Sequence, residues 1–129
     1  MVLESSAIVA IFQQEPGHEL LEQKIDQAEV ILIGAPTMTE IAIVMSRRSG
    51  GDYRPSLEAF LRRIDAQVVS FTEQHYSAAS DAHLRFGRGI NSKAALNYGD
   101  CLSYAVAKVA GQPLLFVGDD FAHTDIIAA

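Results

Sequence analysis

Residues 1–12 read Met-Val-Leu-Glu-Ser-Ser-Ala-Ile-Val-Ala-Ile-Phe and join a short apolar run to a helical pattern. The first three residues are apolar, as in a buried strand. Ser5 or Ser6 can accept a backbone N–H at the start of a helix, and apolar residues then recur with helical spacing. Glu4 therefore lies at a strand-to-helix junction. Ligands bind at the carboxyl ends of strands in open parallel sheets, so Glu4 is the first candidate site residue.

The length and composition fit one domain, residues 1–129, with a buried core. The hydrophobic fraction of 49% and the charged fraction of 20% are typical of globular proteins. No apolar run approaches the ~20 residues of a membrane span, and the first residues lack the basic segment of a signal peptide. The single cysteine, Cys101, cannot form an intrachain disulfide. We therefore expect a cytoplasmic protein without membrane association.

The charge is unevenly distributed along the chain. The net charge of −6 argues mildly against a protein that coats nucleic acid without specificity. Most of the Lys and Arg residues lie between Arg47 and Lys93, and both flanks are acidic. This distribution could place a cationic rim beside a carboxylate cluster, although ordinary surface charge explains it equally well.

Apolar segments with strand and helix patterns alternate through the chain. Strands are predicted at 1–3, 30–33, 68–71 and 114–117, with a short edge strand at 126–127. Helices are predicted at 5–14, 17–28, 38–49, 55–65, 72–86 and 101–109, and a basic loop at 87–92. Strands separated by helices pair in parallel through right-handed crossovers. We predict an α/β fold, a three-layer α/β/α sandwich with a central, mainly parallel sheet.

Acidic residues recur where predicted strands end or where the neighbouring helices begin. They are Glu4 after the first strand, Glu40 after the second, Asp100 at the start of the helix before the last strand, and Asp119 and Asp120 after that strand. These positions share one edge of a parallel sheet, so residues far apart in the chain can converge there. Each acid alone is more often a capping charge at a helix start. The combination indicates a site.

Converging carboxylates repel one another, and their pKa values rise unless a cation compensates. An oxygen-rich site of this kind suits Mg²⁺, or Mn²⁺, because these ions keep several waters. One or two such ions can activate a water and hold a scissile phosphate. Asp100 is the strongest candidate, because it opens an apolar helix and an acid in that position needs a partner.

Side chains that could contact a nucleic acid lie close to Asp100 in the sequence. Tyr98 could stack on a base, although we favour packing beside the helix start. Arg85, Arg88 and Lys93 could contact phosphates, and exposure to solvent explains them equally well. For Cys101 we expect a place in the core.

Five segments carry recognisable motifs: 2–11, 39–42, 96–105, 113–121 and 124–126. They resemble the PIN-domain ribonucleases, and in particular the VapC toxins of bacterial type II toxin–antitoxin pairs. The resemblance extends over essentially the whole chain, and its two C-terminal motifs are the more specific ones.

The resemblance implies a PIN-like fold and a Mg²⁺-dependent endoribonuclease that cuts structured cellular RNA to 5′-phosphate and 3′-hydroxyl ends. It also implies a cognate VapB-like antitoxin, a homodimer, and a heterotetramer or larger assembly with the antitoxin. The catalytic residues that match the family motifs are Glu4, Glu40, Asp100 and Asp119, and the metal ligands among them are Glu4, Asp100 and Asp119. Ser6 matches a hydroxyl that supports the metal-binding network.

This sequence departs from the family pattern at two positions. Glu4 replaces the usual Asp, and its extra methylene moves the carboxylate by more than about 1 Å, a distance to which catalytic geometry is sensitive. Gly118 stands where many members carry Asp, so Asp119 or Asp120 must serve, and we favour Asp119. Two other functions therefore stay open. One is a catalytically weakened module that acts through antitoxin binding and operon regulation, and the other is a phosphatase or related Mg²⁺ hydrolase.

Overall fold

A four-stranded parallel sheet with helices on both faces forms the protein, in a computed structural model that describes residues 1–90 and 93–129. The strands are β1 (Val2–Leu3), β2 (Leu32–Gly34), β3 (Gln67–Val69) and β4 (Leu114–Leu115). The helices are α1 (Ser5–Phe12), α2 (His18–Asp26), α3 (Ala35–Ser49), α4 (Arg54–Arg63), α5 (Glu73–Phe86) and α6 (Tyr98–Ala110).

The spatial order of the strands is β3-β2-β1-β4, and every pair is parallel. Val2 of β1 lies opposite Leu32 on one side and Leu114 on the other. The chain moves outward from β1 to β3 and then returns to place β4 on the far side of β1. The strand order therefore reverses between β1 and β4, and ligands bind at such a switch point in open α/β sheets.

Alternate residues of the short strands point into two separate apolar clusters. Leu3 and Leu115 belong to the cluster formed with α1, α2, α3 and α4. Val2 and Leu114 belong to the cluster formed with α5 and α6. All four side chains are almost completely buried. The predicted α/β/α sandwich with a parallel sheet is confirmed.

β2 begins later than predicted and ends in a glycine. Val30, predicted to begin this strand, is 44% exposed. Gly34 ends β2 and is also the N-cap of α3. α3 therefore begins before the predicted residue 38, because Pro36 suits the first turn of a helix.

The segment after β4 does not form the predicted edge strand at 126–127. A single parallel bridge joins Leu114 to Ala128, and the Leu114 amide donates to the carbonyl of Ile127 at 2.9 Å. The predicted basic loop at 87–92 begins with a bridge between Gly87 and Leu96. Its residues Asn91 and Ser92 lie outside the described residues. Across 1–90 and 93–129, no helix combines the length and the apolar composition needed to cross a membrane.

Replacing Gly34 with alanine should lower the free energy of unfolding by about 1–3 kcal/mol, as overpacking does. The added Cβ would lie 2.8 Å from Cγ2 of Val106, where the end of β2 meets α6. Urea unfolding followed by circular dichroism measures the change. Gly51→Ala is the matched control, because no heavy atom lies within 4 Å of its added Cβ. Equal stabilities for the two variants would contradict this close packing.

Candidate active site

Glu4 is the N-cap of α1 and is 3% exposed. Its Oε2 accepts the backbone N–H of Ser6 at 2.7 Å and also the Ser6 hydroxyl. Its Oε1 accepts the Ser5 hydroxyl at 2.7 Å. The prediction that Ser5 or Ser6 caps this helix is therefore wrong. The carboxylate reaches back to take the capping position, and both hydroxyls donate to it.

Ser6 also connects Glu4 to the segment that follows β4. The amide of Val117 donates to Ser6 Oγ at 2.9 Å. Two residues before Ser6, the Glu4 amide donates to the carbonyl of Leu115 at 3.0 Å. These bonds hold the carboxyl ends of β1 and β4 together. The segment that carries Asp119 and Asp120 therefore begins beside Glu4, at the switch point of the sheet.

The start of α6 is fixed by a reciprocal pair of hydrogen bonds between Asn97 and Asp100. Asn97 Oδ1 accepts the Asp100 amide at 2.8 Å, and Asp100 Oδ2 accepts the Asn97 amide at 2.9 Å. This capping box starts the helix at Tyr98 instead of the predicted 101. Asp100 is only 8% exposed as a result. The N-x-x-D spacing of the sequence is a signal that could have placed this start.

Two contacts bring α3 and α6 together beside the acids. The hydroxyls of Thr37 and Ser103 form a buried hydrogen bond of 3.0 Å, one helical turn from Glu40 and Asp100 respectively. Gly99 packs directly against Glu40: a Cβ there would lie 3.2 Å from Glu40 Cδ and would overlap Oε2. Sequence reasoning did not identify these three supporting residues, because their roles depend on how the two helices pack.

The pKa of Asp100 is shifted by the acids that surround it. Burial raises the pKa of Asp100 to about 6, the Asn97 amide opposes the rise, and the charges of Glu4, Asp120 and Glu40 add to it. The structure thus brings together Glu4, Glu40 and Asp100, as the sequence predicts. Of the two acids after β4, Asp120 acts on Asp100 in this way. The assignment of Asp119 as the last site acid stays a prediction.

The chemistry of this cluster suits a hard divalent cation. Its donors are all carboxylate or hydroxyl oxygens, and burial together with the neighbouring acids raises the pKa of Asp100. A cation at this position would favour the ionised carboxyl group. In the part of the chain that the structure describes, no three His, Cys, Asp or Glu side chains are already arranged to hold a metal. Mg²⁺ is commonly bound through one or two carboxylates and several waters. The residues that could hold it are Glu4, Asp100 and Asp120.

Two neighbours of Asp100 differ sharply in exposure. Cys101 is 5% exposed, which confirms its place in the core. Tyr98 is 81% exposed, so the prediction that its ring packs beside the helix start is wrong.

The chain matches known proteins over nearly its whole length. Residues 1–127 match the family described as the PIN domain. Ribonuclease VapC of Mycolicibacterium smegmatis is 42% identical over 128 residues, which cover 99% of this chain and 98% of the relative. Ribonuclease VapC30 of Mycobacterium tuberculosis is 39% identical over 126 residues, which cover 98% of this chain and 95% of the relative.

Two solved structures share the fold. One is described as Mycobacterium tuberculosis VapC20, a sarcin–ricin loop cleaving toxin, with a TM-score of 0.79, 15% identity, and coverage of 99% of this chain and 97% of that chain. The other is a toxin–antitoxin complex from Klebsiella pneumoniae, with a TM-score of 0.72, 12% identity, and coverage of 99% and 95%. By sequence and by fold, this chain belongs to the PIN domain family and, within it, to the VapC proteins.

Proposed function

We propose that this protein is a metal-dependent endoribonuclease that acts as the toxin of a toxin–antitoxin pair. The observation that carries the proposal is the mostly buried carboxyl group of Asp100, whose pKa is raised to about 6 at the switch point of the sheet by burial and by three other acids. Strongly perturbed carboxyl groups in such positions favour a functional site.

The side chains have separable roles in this proposal. Glu4, Asp100 and Asp120, with Asp119 as the alternative to Asp120, would hold Mg²⁺ or Mn²⁺. Such an ion supplies a water of lowered pKa and neutralises charge on the phosphate. Glu40, pressed against Gly99, would orient the attacking water. Ser5 and Ser6 fix the direction of the Glu4 carboxylate.

The relatives support the substrate and partner that we propose. The curated relatives are named ribonucleases, and VapC20 is described as a toxin that cleaves the sarcin–ricin loop. We infer a structured cellular RNA as the substrate, cut to 5′-phosphate and 3′-hydroxyl ends in the cytoplasm. The partner is a VapB-like antitoxin, as the Klebsiella toxin–antitoxin complex suggests. The active form is a homodimer, and the antitoxin complex a heterotetramer or larger.

Replacing Asp100 with asparagine should reduce RNA cleavage roughly 100-fold or more, since one electrostatic group of the site is lost. A gel assay with total tRNA and ribosomal RNA, with and without Mg²⁺, measures this change. Asp120→Asn should lower the rate more than Asp119→Asn. Asp26→Asn removes the same charge from the exposed end of α2 and is the matched control. Cleavage that survives Asp100→Asn, or that persists in EDTA, would contradict the proposal.

The metal-free protein should lose stability as the pH rises from about 4 to about 6, where Asp100 ionises at a higher pH in the folded chain than in the unfolded chain. Above that window, the full loss of stability from ionised Asp100 is present. Asp100→Asn keeps an oxygen for the Asn97 amide and should stabilise the protein near neutral pH by about 1–2 kcal/mol. Urea unfolding at a series of pH values tests this. If the stability of Asp100→Asn depended on pH in the same way as that of the native protein, the electrostatic account would be ruled out.

Glu4→Asp distinguishes a weakened site from an adapted one. Aspartate restores the family's residue, but it shortens the side chain that now reaches Ser5 and Ser6. If Glu4 misplaces the ion, Glu4→Asp should raise the cleavage rate by about 10-fold or more. We expect instead an unchanged or lower rate, because both Glu4 oxygens are already held by donors on α1. A large gain in rate would favour the catalytically weakened module.

A further inference from the structure

A groove adjoins the acid cluster on the other side of the first turn of α6. It lies between α5 and α6 and has a volume of about 690 Å³. That volume falls within the ~300–1,000 Å³ typical of small-molecule sites. The lining that matters here is aromatic or cationic: Phe71, Tyr76, His83, Arg88 and Tyr98.

The groove and the acid cluster share one residue. Asn97 lines the groove, and its backbone amide also donates to Asp100 Oδ2. Tyr98 and Cys101, on either side of Asp100 in α6, line the groove as well. A molecule in the groove would therefore lie next to Asn97, whose amide binds the carboxyl group of Asp100.

Two tyrosine rings of the groove are exposed to solvent. Tyr98 is 81% exposed and Tyr76 is 68% exposed. Tyr98 is the first residue of α6, and the capping box between Asn97 and Asp100 fixes its backbone. The Tyr98 side chain is not part of the core cluster that contains Tyr104 and Cys101. Folding thus leaves the Tyr98 ring exposed to solvent on a fixed backbone at the start of α6.

The charge of the groove differs from that of the whole protein. The chain carries a net charge of −6, yet no Asp or Glu is among the described residues that line the groove. Arg88 forms no ion pair with any residue in 1–90 or 93–129. Arg85, by contrast, pairs with Asp81 and Asp125. The groove therefore offers an uncommitted guanidinium to an anion.

We propose that this groove binds an unpaired base of the RNA substrate, next to the bond that is cut. The base stacks on Tyr98, and Arg88 contacts a flanking phosphate. Unpaired bases are recognised by aromatic stacking and by Arg or Lys contacts to the backbone. The inference rests on the proposed function and extends it, since it assigns Tyr98 and Arg88 to the binding of the RNA beside the cleavage point.

Binding of a short, fluorescently labelled, single-stranded oligoribonucleotide of mixed sequence tests the groove without requiring cleavage. Fluorescence anisotropy is measured in EDTA. Tyr98→Leu should raise Kd about 5- to 50-fold because stacking is lost, whereas Tyr98→Phe, which keeps the ring, should stay within about twofold. Equal affinities for the native protein, Tyr98→Leu and Tyr98→Phe would overturn the proposal.

The Arg88 contact is tested by its dependence on salt. Arg88→Gln should weaken binding and lower the slope of log K against log salt concentration by about 0.7, the value for one phosphate contact with a single strand. Arg62→Gln removes an equal charge from exposed α4 and should leave the slope unchanged. Equal slopes for the two variants would overturn the phosphate contact.

Two further measurements separate the outcomes. A duplex of the same length should bind more weakly than the single strand, and light scattering should give the same molar mass for the native protein and Tyr98→Leu. A fall in mass with Tyr98→Leu, matched by the loss of RNA binding, would make the groove an interface between two copies and would overturn the proposal.

Tyr98-dependent binding without any cleavage would support the groove while the proposed function fails. Cleavage with unchanged kcat/KM in Tyr98→Leu would overturn the groove alone.

Discussion

Asp100 starts α6 by accepting the amide N–H of Asn97, and the same carboxyl group is buried beside three other acids. Helix capping sets the position of this carboxyl group, so it cannot move away from the neighbouring acids when it ionises. The folded protein therefore keeps a carboxyl group whose ionisation is disfavoured at the switch point of a parallel sheet. A bound divalent cation would offset this electrostatic cost, which makes the capping box at Asn97 the constraint on which the proposed chemistry depends.

Helix capping and site formation use the same side chains in this protein. Glu4 is the N-cap of α1, Asp100 completes the capping box of α6 with Asn97, and both helices begin at the carboxyl edge of the sheet. The Val117–Ser6 bond holds the end of β4 against Glu4, and the Thr37–Ser103 bond holds α3 against α6. The two interpretations of such acids, as capping charges and as ligands, are therefore compatible. The capping geometry holds the carboxylates close together.

The sequence pattern predicted the parallel sheet and the convergence of Glu4, Glu40 and Asp100, because short apolar runs, helical spacing and strand ends are local signals. It did not predict that Glu4 itself caps α1. The general preference for Ser at N-caps favoured Ser5 or Ser6, whereas the longer Glu4 side chain folds over to accept the Ser6 amide. It also missed the exposure of Tyr98, because α6 begins at a capping box that moves this ring to the surface. The contacts of Gly99, Thr37 and Ser103 depend on the packing of α3 against α6, which no local pattern encodes.

Titration calorimetry with Mn²⁺ near pH 6, in two buffers of different ionisation enthalpy, tests the central claim most directly. If Asp100 is a ligand among converging acids, binding should release a proton from a carboxyl group whose pKa is about 6. The affinity should fall as the pH is lowered, and the proton release should disappear in Asp100→Asn. Absence of Mn²⁺ binding, or binding with the same proton release in Asp100→Asn, would contradict the account.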